Sequence, residues 1–316
     1  LIAFREILRP NGTTLCSGFS DDVTCSADAN GTHTVLIRDN TDNTGQYNLT
    51  LTCLSGGCGG STTFLSFVAS AAGSGNVGGV AFTPADLIAY DDDANTWSMF
   101  FDGSDVGVTK NVTAFAFDGD DLLLVFSASQ VLGGLGTITP WDVVRFSPTS
   151  TGINTDGAFA WHIDGSDVGL TGSGEKIDAL SLAEDGRLLI STTGAAKVPG
   201  PGGTIISVQD EDVLAFTLTT PGQNTAGDWT LYFNATPIPG MSAEDINSFR
   251  EDTATGDRYV TILGSFNVGG VAGNGKDVIK LSPNGGAPGG YAPSMAWDGS
   301  TFGFPSTLDA LEVTPP

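Results

Sequence analysis

Short apolar runs, separated by turns rich in Gly and Asp, follow one another through most of the chain. From about residue 64 one order recurs four times: an apolar run, an acidic turn, a second run, a Gly-rich loop, a third run that begins at Asp, and a fourth that ends near Asp-Gly. The runs are rich in β-branched and aromatic residues, which is typical of β-strands. The pattern therefore predicts an all-β fold with four strands in each repeat.

Matched positions define the repeat. The third strands begin at equivalent aspartates: Asp86, Asp142, Asp212 and Asp277. The first strands carry a polar residue at one equivalent point: Thr113, Asp178, Asn247 and Asp309. Four-stranded repeats of this kind form the blades of β-propellers. The two DGSDVG copies, at 102–107 and 164–169, resemble repeats of secreted bacterial β-propellers, and this resemblance implies an extracellular or cell-surface protein.

The strand order is circularly offset. The first repeat begins with its second strand, whereas the segment 307–314 is a first strand with no second strand after it. Joining the two completes the first blade and removes an exposed sheet edge. We therefore predict a four-bladed β-propeller over residues 61–316, closed by strand exchange through the C-terminal strand 307–314.

Residues 1–60 follow another pattern and predict a small, partial β-sandwich. The segments RPNGTTL, GTHTVLIRD and GQYNLTLTC resemble the second half of the pre-peptidase C-terminal domain of secreted bacterial proteins. Such domains usually begin with further strands. Either Leu1 is a processed or truncated start, or a neighbouring subunit supplies the missing strands. The second alternative predicts a head-to-tail homopolymer, because heterologous contacts that do not close propagate.

Composition narrows the classes of partner. Lys and Arg number 12 and Asp and Glu 36, so the net charge is −24, which disfavours nucleic acid and anionic membranes. Hydrophobic residues make up 40% of the chain, which is too many for a disordered acidic protein. The sequence lacks an apolar run of the length that spans a bilayer, so we expect no membrane insertion. The acidity favours solubility or cation binding, and calcium is the candidate outside the cell.

The N-terminal region also holds the candidate modification sites. The four cysteines are Cys16, Cys25, Cys53 and Cys58. Three disulfide pairings are open; we favour Cys16 with Cys25 and Cys53 with Cys58 over a zinc site, because the spacings do not fit a zinc finger. Asn-x-Ser/Thr sequons predict surface glycans at five positions: Asn11, Asn30, Asn48, Asn111 and Asn234.

The candidate calcium ligands fall in two groups. The first lies in the DGSDVG copies, where closely spaced carboxylates favour either calcium or turn hydrogen bonds. These residues are Asp102, Asp105, Asp164 and Asp167. The second comprises Asp178 and Asp309 of the first strands, where four oxygen donors around the propeller axis favour either one cation or bonds between blades.

The sequence gives little support for a catalytic site. His162, on an outer strand, is the only histidine of the propeller, and no G-x-S-x-G motif accompanies it. The five tryptophans favour packing between blades over stacking on sugars. We therefore expect a non-catalytic secreted structural protein that self-assembles into an extracellular filament or surface layer through its N-terminal region. The alternative is a calcium-dependent adhesin or carbohydrate-binding module of a larger secreted protein, with surface glycans as partners.

Overall fold

The computed structural model of the chain describes residues 3–8, 13–18, 34–39 and 66–313. The chain forms two compact units, Leu1–Cys58 and Gly59–Pro316. In the first unit an antiparallel sheet has the order β2-β1-β3. Its strands are β1 (Ala3–Leu8), β2 (Thr14–Gly18) and β3 (Thr34–Asp39).

The second unit consists of four antiparallel four-stranded sheets, which are the four predicted blades. The strands of each blade are given from the innermost to the outermost. Blade 1 has β27 (Leu308–Val313), β4 (Phe67–Ala71), β7 (Leu87–Asp91) and β8 (Thr96–Phe101). Blade 2 has β9 (Val112–Asp118), β10 (Asp121–Phe126), β13 (Val143–Ser150) and β14 (Asp156–Ile163). Blade 3 has β15 (Ile177–Leu182), β16 (Leu188–Thr192), β19 (Val213–Thr220) and β20 (Ala226–Phe233). Blade 4 has β21 (Ile246–Asp252), β22 (Asp257–Ile262), β25 (Val278–Pro283) and β26 (Tyr291–Trp297).

Strand exchange closes the ring as predicted. The C-terminal strand β27 pairs antiparallel with β4, and Leu311 lies opposite Ala69. The first and last parts of the propeller therefore share one sheet, so the innermost position of blade 1 is not left as an open edge.

A two-stranded hairpin lies between the second and third strands of every blade, where the sequence suggested only Gly-rich loops. These hairpins pair β5 (Gly75–Val77) with β6 (Val80–Phe82), β11 (Gln130–Leu132) with β12 (Gly136–Ile138), β17 (Ala196–Pro199) with β18 (Ile205–Val208), and β23 (Phe266–Val268) with β24 (Val271–Gly273). The turn of the first hairpin needs two glycines, because Gly78 and Gly79 have φ of 57° and 89°. Strands this short, bounded by glycines, carry too little periodicity to be recognised in the sequence.

The apolar core lies between the blades. Four buried clusters occur, one at each junction between neighbouring blades, and each draws on first to fourth strands. Large side chains such as Phe115, Phe216 and Trp229 are fully buried there. Such burial is the main stabilising contribution, since each large apolar side chain contributes about 1.5–3 kcal/mol.

Between residues 66 and 313, five short 3-10 turns join the strands, at Gly103–Val106, Gly165–Val168, Pro201–Gly203, Met241–Ala243 and Pro288–Gly290. Over the residues that the structure describes, no helix has the length and apolar character needed to cross a bilayer.

Candidate functional site

The innermost strands carry a β-bulge at the same point in all four blades. In each case one residue is skipped in the register with the second strand. The skipped residues are the polar set singled out in the sequence: Thr113, Asp178, Asn247 and Asp309. A bulge turns a side chain away from the regular alternation of the strand. The four side chains are therefore set apart from the apolar positions before and after them.

Two members of this set bond the next blade. The Thr113 hydroxyl donates to the carbonyl of Ile177 at 3.4 Å, and Asn247 Nδ2 donates to the carbonyl of Leu308 at 2.7 Å. The Asn247 amide is also fixed from the other side, because its Oδ1 accepts from Thr261 at 2.7 Å. For these two positions the inter-blade interpretation is confirmed.

The two aspartates of the set have raised pKa values, and within the described part of the chain neither carboxyl oxygen of Asp178 has a hydrogen-bond partner. Burial raises the pKa of Asp309 to about 6. Burial and the neighbouring charge of Asp245 raise the pKa of Asp178 well above its ordinary range. Burial, together with the charge of Asp210, raises the pKa of Asp245 to about 6. The carboxyls of Asp178 and Asp245 lie close enough for each to affect the pKa of the other, and two neighbouring carboxyls are more stable with one proton between them than with both ionised.

The DGSDVG copies form capped 3-10 turns. Asp102 Oδ1 accepts from the backbone N–H of Ser104 at 3.1 Å and from its hydroxyl at 2.7 Å. Asp164 bonds Ser166 in the same way, at 3.1 and 2.6 Å. The turns end at glycines in the left-handed region, Gly107 and Gly169. These are the hydrogen bonds within a turn that the sequence analysis gave as the alternative to calcium binding.

The second aspartate of each copy fastens one blade to the next. Asp105 Oδ2, in the turn after blade 1, accepts from the backbone N–H of Thr155 in blade 2 at 2.9 Å. Asp167 Oδ2 accepts from Thr225 N–H of blade 3, also at 2.9 Å. The two threonines are buried, and each hydroxyl accepts from the backbone N–H of the first aspartate, Asp102 or Asp164, at 2.8 Å. The motif is therefore an inter-blade fastener, used at two of the four junctions.

Thr225 offers a direct test of the fastener. We expect Thr225→Val to lower the free energy of unfolding by about 1–2 kcal/mol, because the partly buried N–H of Asp164 loses its acceptor at the buried Thr225 while the volume of the side chain is kept. Urea unfolding followed by tryptophan fluorescence measures the change. The control, Thr220→Val, lies at an exposed position of β19 and should change stability by less than about 0.5 kcal/mol. Equal effects of the two changes would contradict the fastener.

Calcium ligation stays a prediction at all six aspartates. No group of three or more His, Cys, Asp or Glu side chains is placed to hold a metal ion among the described residues. A calcium ion at either DGSDVG turn would need loop carbonyls or water for most of its six to eight oxygen ligands.

The aspartates that open the third strands are structural, as their recurrence indicated. Asp142 shows the arrangement: one oxygen accepts from the N–H and hydroxyl of Thr139, at 2.7 and 2.8 Å, and the other from Gly165 N–H at 3.0 Å. Asp86 makes the same three bonds, to Thr83 and Gly103. The carboxylate thus ties the start of the third strand to the end of the fourth.

A polar pocket of about 260 Å³ lies between blades 3 and 4, where their first strands end. Its lining includes Tyr232 of β20, Arg250 and Glu251 of β21, and Ser181 at the end of β15. Arg250 Nη1 donates to the carbonyl of Leu182 at 3.1 Å, which spans the junction between the two blades. This pocket was not among the sites predicted from the sequence.

The aromatic wall of the pocket is held rigidly. The Tyr232 hydroxyl donates to Glu251, and burial together with that carboxylate raises the pKa of Tyr232 to about 12. Arg187 and Arg258 lie against the Tyr232 ring, at 5.5 and 5.8 Å from its centroid. Of the four arginines between residues 66 and 313, Arg250 lines the pocket, and Arg187 and Arg258 contact its tyrosine.

The equivalent positions in blades 1 and 2 are apolar. At that junction Phe100 and Phe117 occupy the places of Tyr232 and Glu251, and their rings pack edge to face at 5.4 Å. Ala116 of blade 2 takes the place of Arg250. The repeat alignment held part of this signal, because the equivalents of Glu251 in the other three blades are the apolar residues Phe117, Leu182 and Val313.

His162 and the tryptophans serve packing. His162 is partly buried, and burial and the charge of Arg145 lower its pKa to about 4. Four tryptophans lie on fourth strands, as predicted. Trp229 and Trp297 are buried, and Trp229 donates to the carbonyl of Val168 at 2.8 Å. These two rings are not available for stacking on a sugar.

Most of the predicted modification sites lie outside the described residues. Cys25, Cys53, Cys58, Asn11, Asn30 and Asn48 are among them, and of Cys16 only the backbone, in β2, is described. Asn234 is exposed and accepts from Thr236 N–H at 3.0 Å, whereas Asn111 is half-buried. The disulfide and glycan predictions therefore stay predictions.

Comparisons with known proteins returned solved structures alone. No family model matches the chain, and no curated protein does. The extracellular domain of BT4673 from B. thetaiotaomicron is 13% identical, with a TM-score of 0.28, over 67% of this chain and 25% of its own. A protein of unknown function from Bacteroides caccae is 10% identical, with a TM-score of 0.27, over 70% and 66%. The PQQ-bound aldose sugar dehydrogenase from Streptomyces coelicolor is 10% identical, with a TM-score of 0.32, over 74% and 86%. The chain thus spans less than two thirds of the first two.

Proposed function

We propose that this protein is a non-catalytic, extracellular structural protein that self-assembles into a filament or surface layer. The observation that carries the proposal is the use of the repeated acidic residues. In the blades they hold strand to strand, as Asp142 does, or blade to blade, as Asp105 and Asp167 do. A propeller built in this way is a rigid, highly charged block, which suits a building unit exposed to solvent.

The N-terminal unit is the proposed joint. It spans Leu1–Cys58, and a unit of this length buries a smaller share of its surface than the propeller does. A surface supplied by a neighbouring copy would therefore stabilise it. Because the contact would join different surfaces of the two copies, it would propagate head to tail.

Electron microscopy of the full chain tests this assembly. Negative-stain images of the purified protein, with calcium and then with chelator, are expected to show regular fibres or sheets. The variant Ile7→Pro should abolish them, because Ile7 lies on the central strand β1 and pairs with both Cys16 and Val35. An unchanged thermal transition of the propeller serves as the control for folding. Monodisperse monomers of the unmodified chain at high concentration with calcium would contradict the proposal.

The second candidate is a calcium-dependent adhesin or carbohydrate-binding module of a larger secreted protein. The polar pocket between blades 3 and 4 favours it, because it combines an aromatic ring with charged hydrogen-bonding groups. A glycan array probed with the full chain, with calcium and with chelator, tests this candidate. Reproducible binding that chelation abolishes would support it in full.

A further inference from the structure

We propose that the pocket formed by Tyr232, Arg250 and Glu251 binds one neutral sugar residue. The inference deepens the second candidate function and names its site and its ligand class. It does not depend on the proposed assembly, because a filament subunit and a monomer can carry the same pocket.

This pocket differs from the junction between blades 1 and 2 in its partly buried polar side chains, which are unfavourable for folding. A propeller junction is held by apolar packing, and the junction between blades 1 and 2 shows it with Phe100 and Phe117 in contact. At the matching place between blades 3 and 4 the chain instead holds a tyrosine, a glutamate and an arginine, partly buried. Burying polar groups is unfavourable unless they are bonded. A fold that needed packing alone would not require them.

The side chains of Tyr232 and Glu251 are held in place without a ligand. Arg258 stacks on Phe233, at 4.2 Å from the ring centroid, and contacts Glu251 at 3.4 Å and the Tyr291 hydroxyl. Glu251 in turn holds the Tyr232 hydroxyl. The aromatic wall and the carboxylate therefore keep their positions without a ligand, which lowers the entropic cost of binding.

Some hydrogen-bonding groups of the pocket residues have no partner in the described structure and could bond a ligand. In the part of the chain that the structure describes, both polar contacts of Arg250 use Nη1, which leaves Nε and Nη2 for a ligand. Ser181 is one of the lining residues and is 1% exposed, and its buried hydroxyl has no hydrogen-bond partner among the described residues. A guanidinium offers parallel N–H groups, and a hydroxyl both donates and accepts. Adjacent hydroxyl groups on a ring match such a set.

The charge balance selects a neutral ligand. Three carboxyl groups of the site, Glu184, Asp185 and Glu251, match its three arginines in number: Arg187 pairs with Asp185 at 2.8 Å, Arg258 contacts Glu251 at 3.4 Å, and Glu184 lies at the rim. Arg250 lies 3.1 Å from Glu312, whose pKa of about 8 leaves it mostly neutral at pH 7, so the described residues of the site carry no excess of positive charge that would select an anion.

The size of the pocket limits the ligand to one residue. Pockets for drug-sized ligands start at about 300 Å³. The volume of about 260 Å³ lies just below that range. A single sugar, either free or at the end of a chain, fits this limit better than an extended oligosaccharide.

Saturation-transfer NMR on the full chain tests the inference with free monosaccharides: glucose, galactose, mannose, N-acetylglucosamine and glucuronic acid. At least one neutral sugar is expected to bind. The change Arg250→Lys keeps the charge beside Glu312 but loses the fork of donors, and should weaken binding by at least about tenfold. The change Thr253→Trp fills the pocket from an exposed position and should abolish binding. Asp120→Trp, at an exposed site in the corresponding turn of blade 2, is the matched control and should leave binding unchanged.

Each other outcome overturns the inference. If no neutral sugar binds, or if glucuronic acid binds more tightly than all of them, the ligand class is wrong. If a neutral sugar binds and neither Arg250→Lys nor Thr253→Trp weakens it, the pocket is wrong while a carbohydrate-binding function stands. If the array and the NMR are both negative, the second candidate function fails together with the site.

Discussion

The free energy of unfolding is expected to fall by several kcal/mol as the pH rises from about 4 to about 8. The cause is a set of buried carboxyls whose pKa values are raised in the folded state. Burial raises the pKa of Asp309 to about 6 and, against the opposing effect of Arg250, that of Glu312 to about 8. The pKa values of Asp178 and Asp245 are raised as well.

The direction follows from proton binding in the two states. In the unfolded chain Asp and Glu ionise near pH 3.8 and 4.5, the ordinary values. Between those values and the raised ones the folded state binds more protons than the unfolded state, so raising the pH favours unfolding. A pKa that is higher by one in the folded state than in the unfolded state corresponds to about 1.4 kcal/mol. Asp309 alone should thus contribute about 3 kcal/mol over this range.

Groups whose pKa values are lowered in the folded state oppose this trend and reduce stability at acidic pH. The lowered pKa of His162 makes it protonate more readily in the unfolded chain, so it reduces stability as the pH falls from 6.5 towards about 4. Carboxylates with lowered pKa values, such as the half-buried Asp121 beside Arg145, lose their stabilising bonds at still lower pH. Between pH 4 and 8 more groups have raised than lowered pKa values, so the net effect is a loss of stability as the pH rises, and we expect maximal stability near pH 4.

Urea unfolding at pH 4, 5, 6, 7 and 8 measures this dependence at constant high salt, because salt screens the repulsion of the net negative charge. The variant Asp309→Asn should flatten the curve between pH 4 and 6, because the titrating group is gone and its amide can donate, as Asn247 does. The control Asp228→Asn is exposed and should leave the curve unchanged. A stability that is constant or rises from pH 5 to 8 would contradict the expectation.

Replacing Asp142 by alanine is expected to lower the free energy of unfolding by about 3–4 kcal/mol. The residue is 3% exposed and accepts three hydrogen bonds, from two groups of Thr139 and from Gly165. Alanine leaves these donors without an acceptor, and each buried donor that loses its partner costs about 1–3 kcal/mol. The effect should exceed that of Thr225→Val, because three bonds are lost in place of two.

Chemical unfolding at pH 7 measures the loss. Asp228→Ala, at an exposed position, is the matched control and should cost less than about 0.5 kcal/mol. Asp142→Asn keeps the size and one acceptor oxygen, so an intermediate loss is expected. A loss below about 1 kcal/mol for Asp142→Ala would show that water replaces the carboxylate and would refute its fastening role.

The sequence by itself determined the strands of the blades and their closure. Alternation along a strand and turn residues are patterns of neighbouring residues. They therefore predict the third strands, which begin near Asp86, Asp142, Asp212 and Asp277, from the sequence alone. The circular offset of 307–314 left strand exchange as the way to complete blade 1, and β27 does pair with β4. The same repeat selected the four polar positions of the first strands, two of which bond between blades.

Tertiary structure decided the chemistry of those residues. Asp105 meets Thr155, 50 residues away in the next blade, and no local pattern encodes which side chain faces it. Asp178 and Asp245 share a buried site because β15 and β21 are neighbours in the ring, and burial is what raises their pKa values. The pocket of Tyr232 and Arg250 joins two blades in the same way. Hydrophobic periodicity is a property of one strand, whereas a site is a property of the strands that the closed ring brings together.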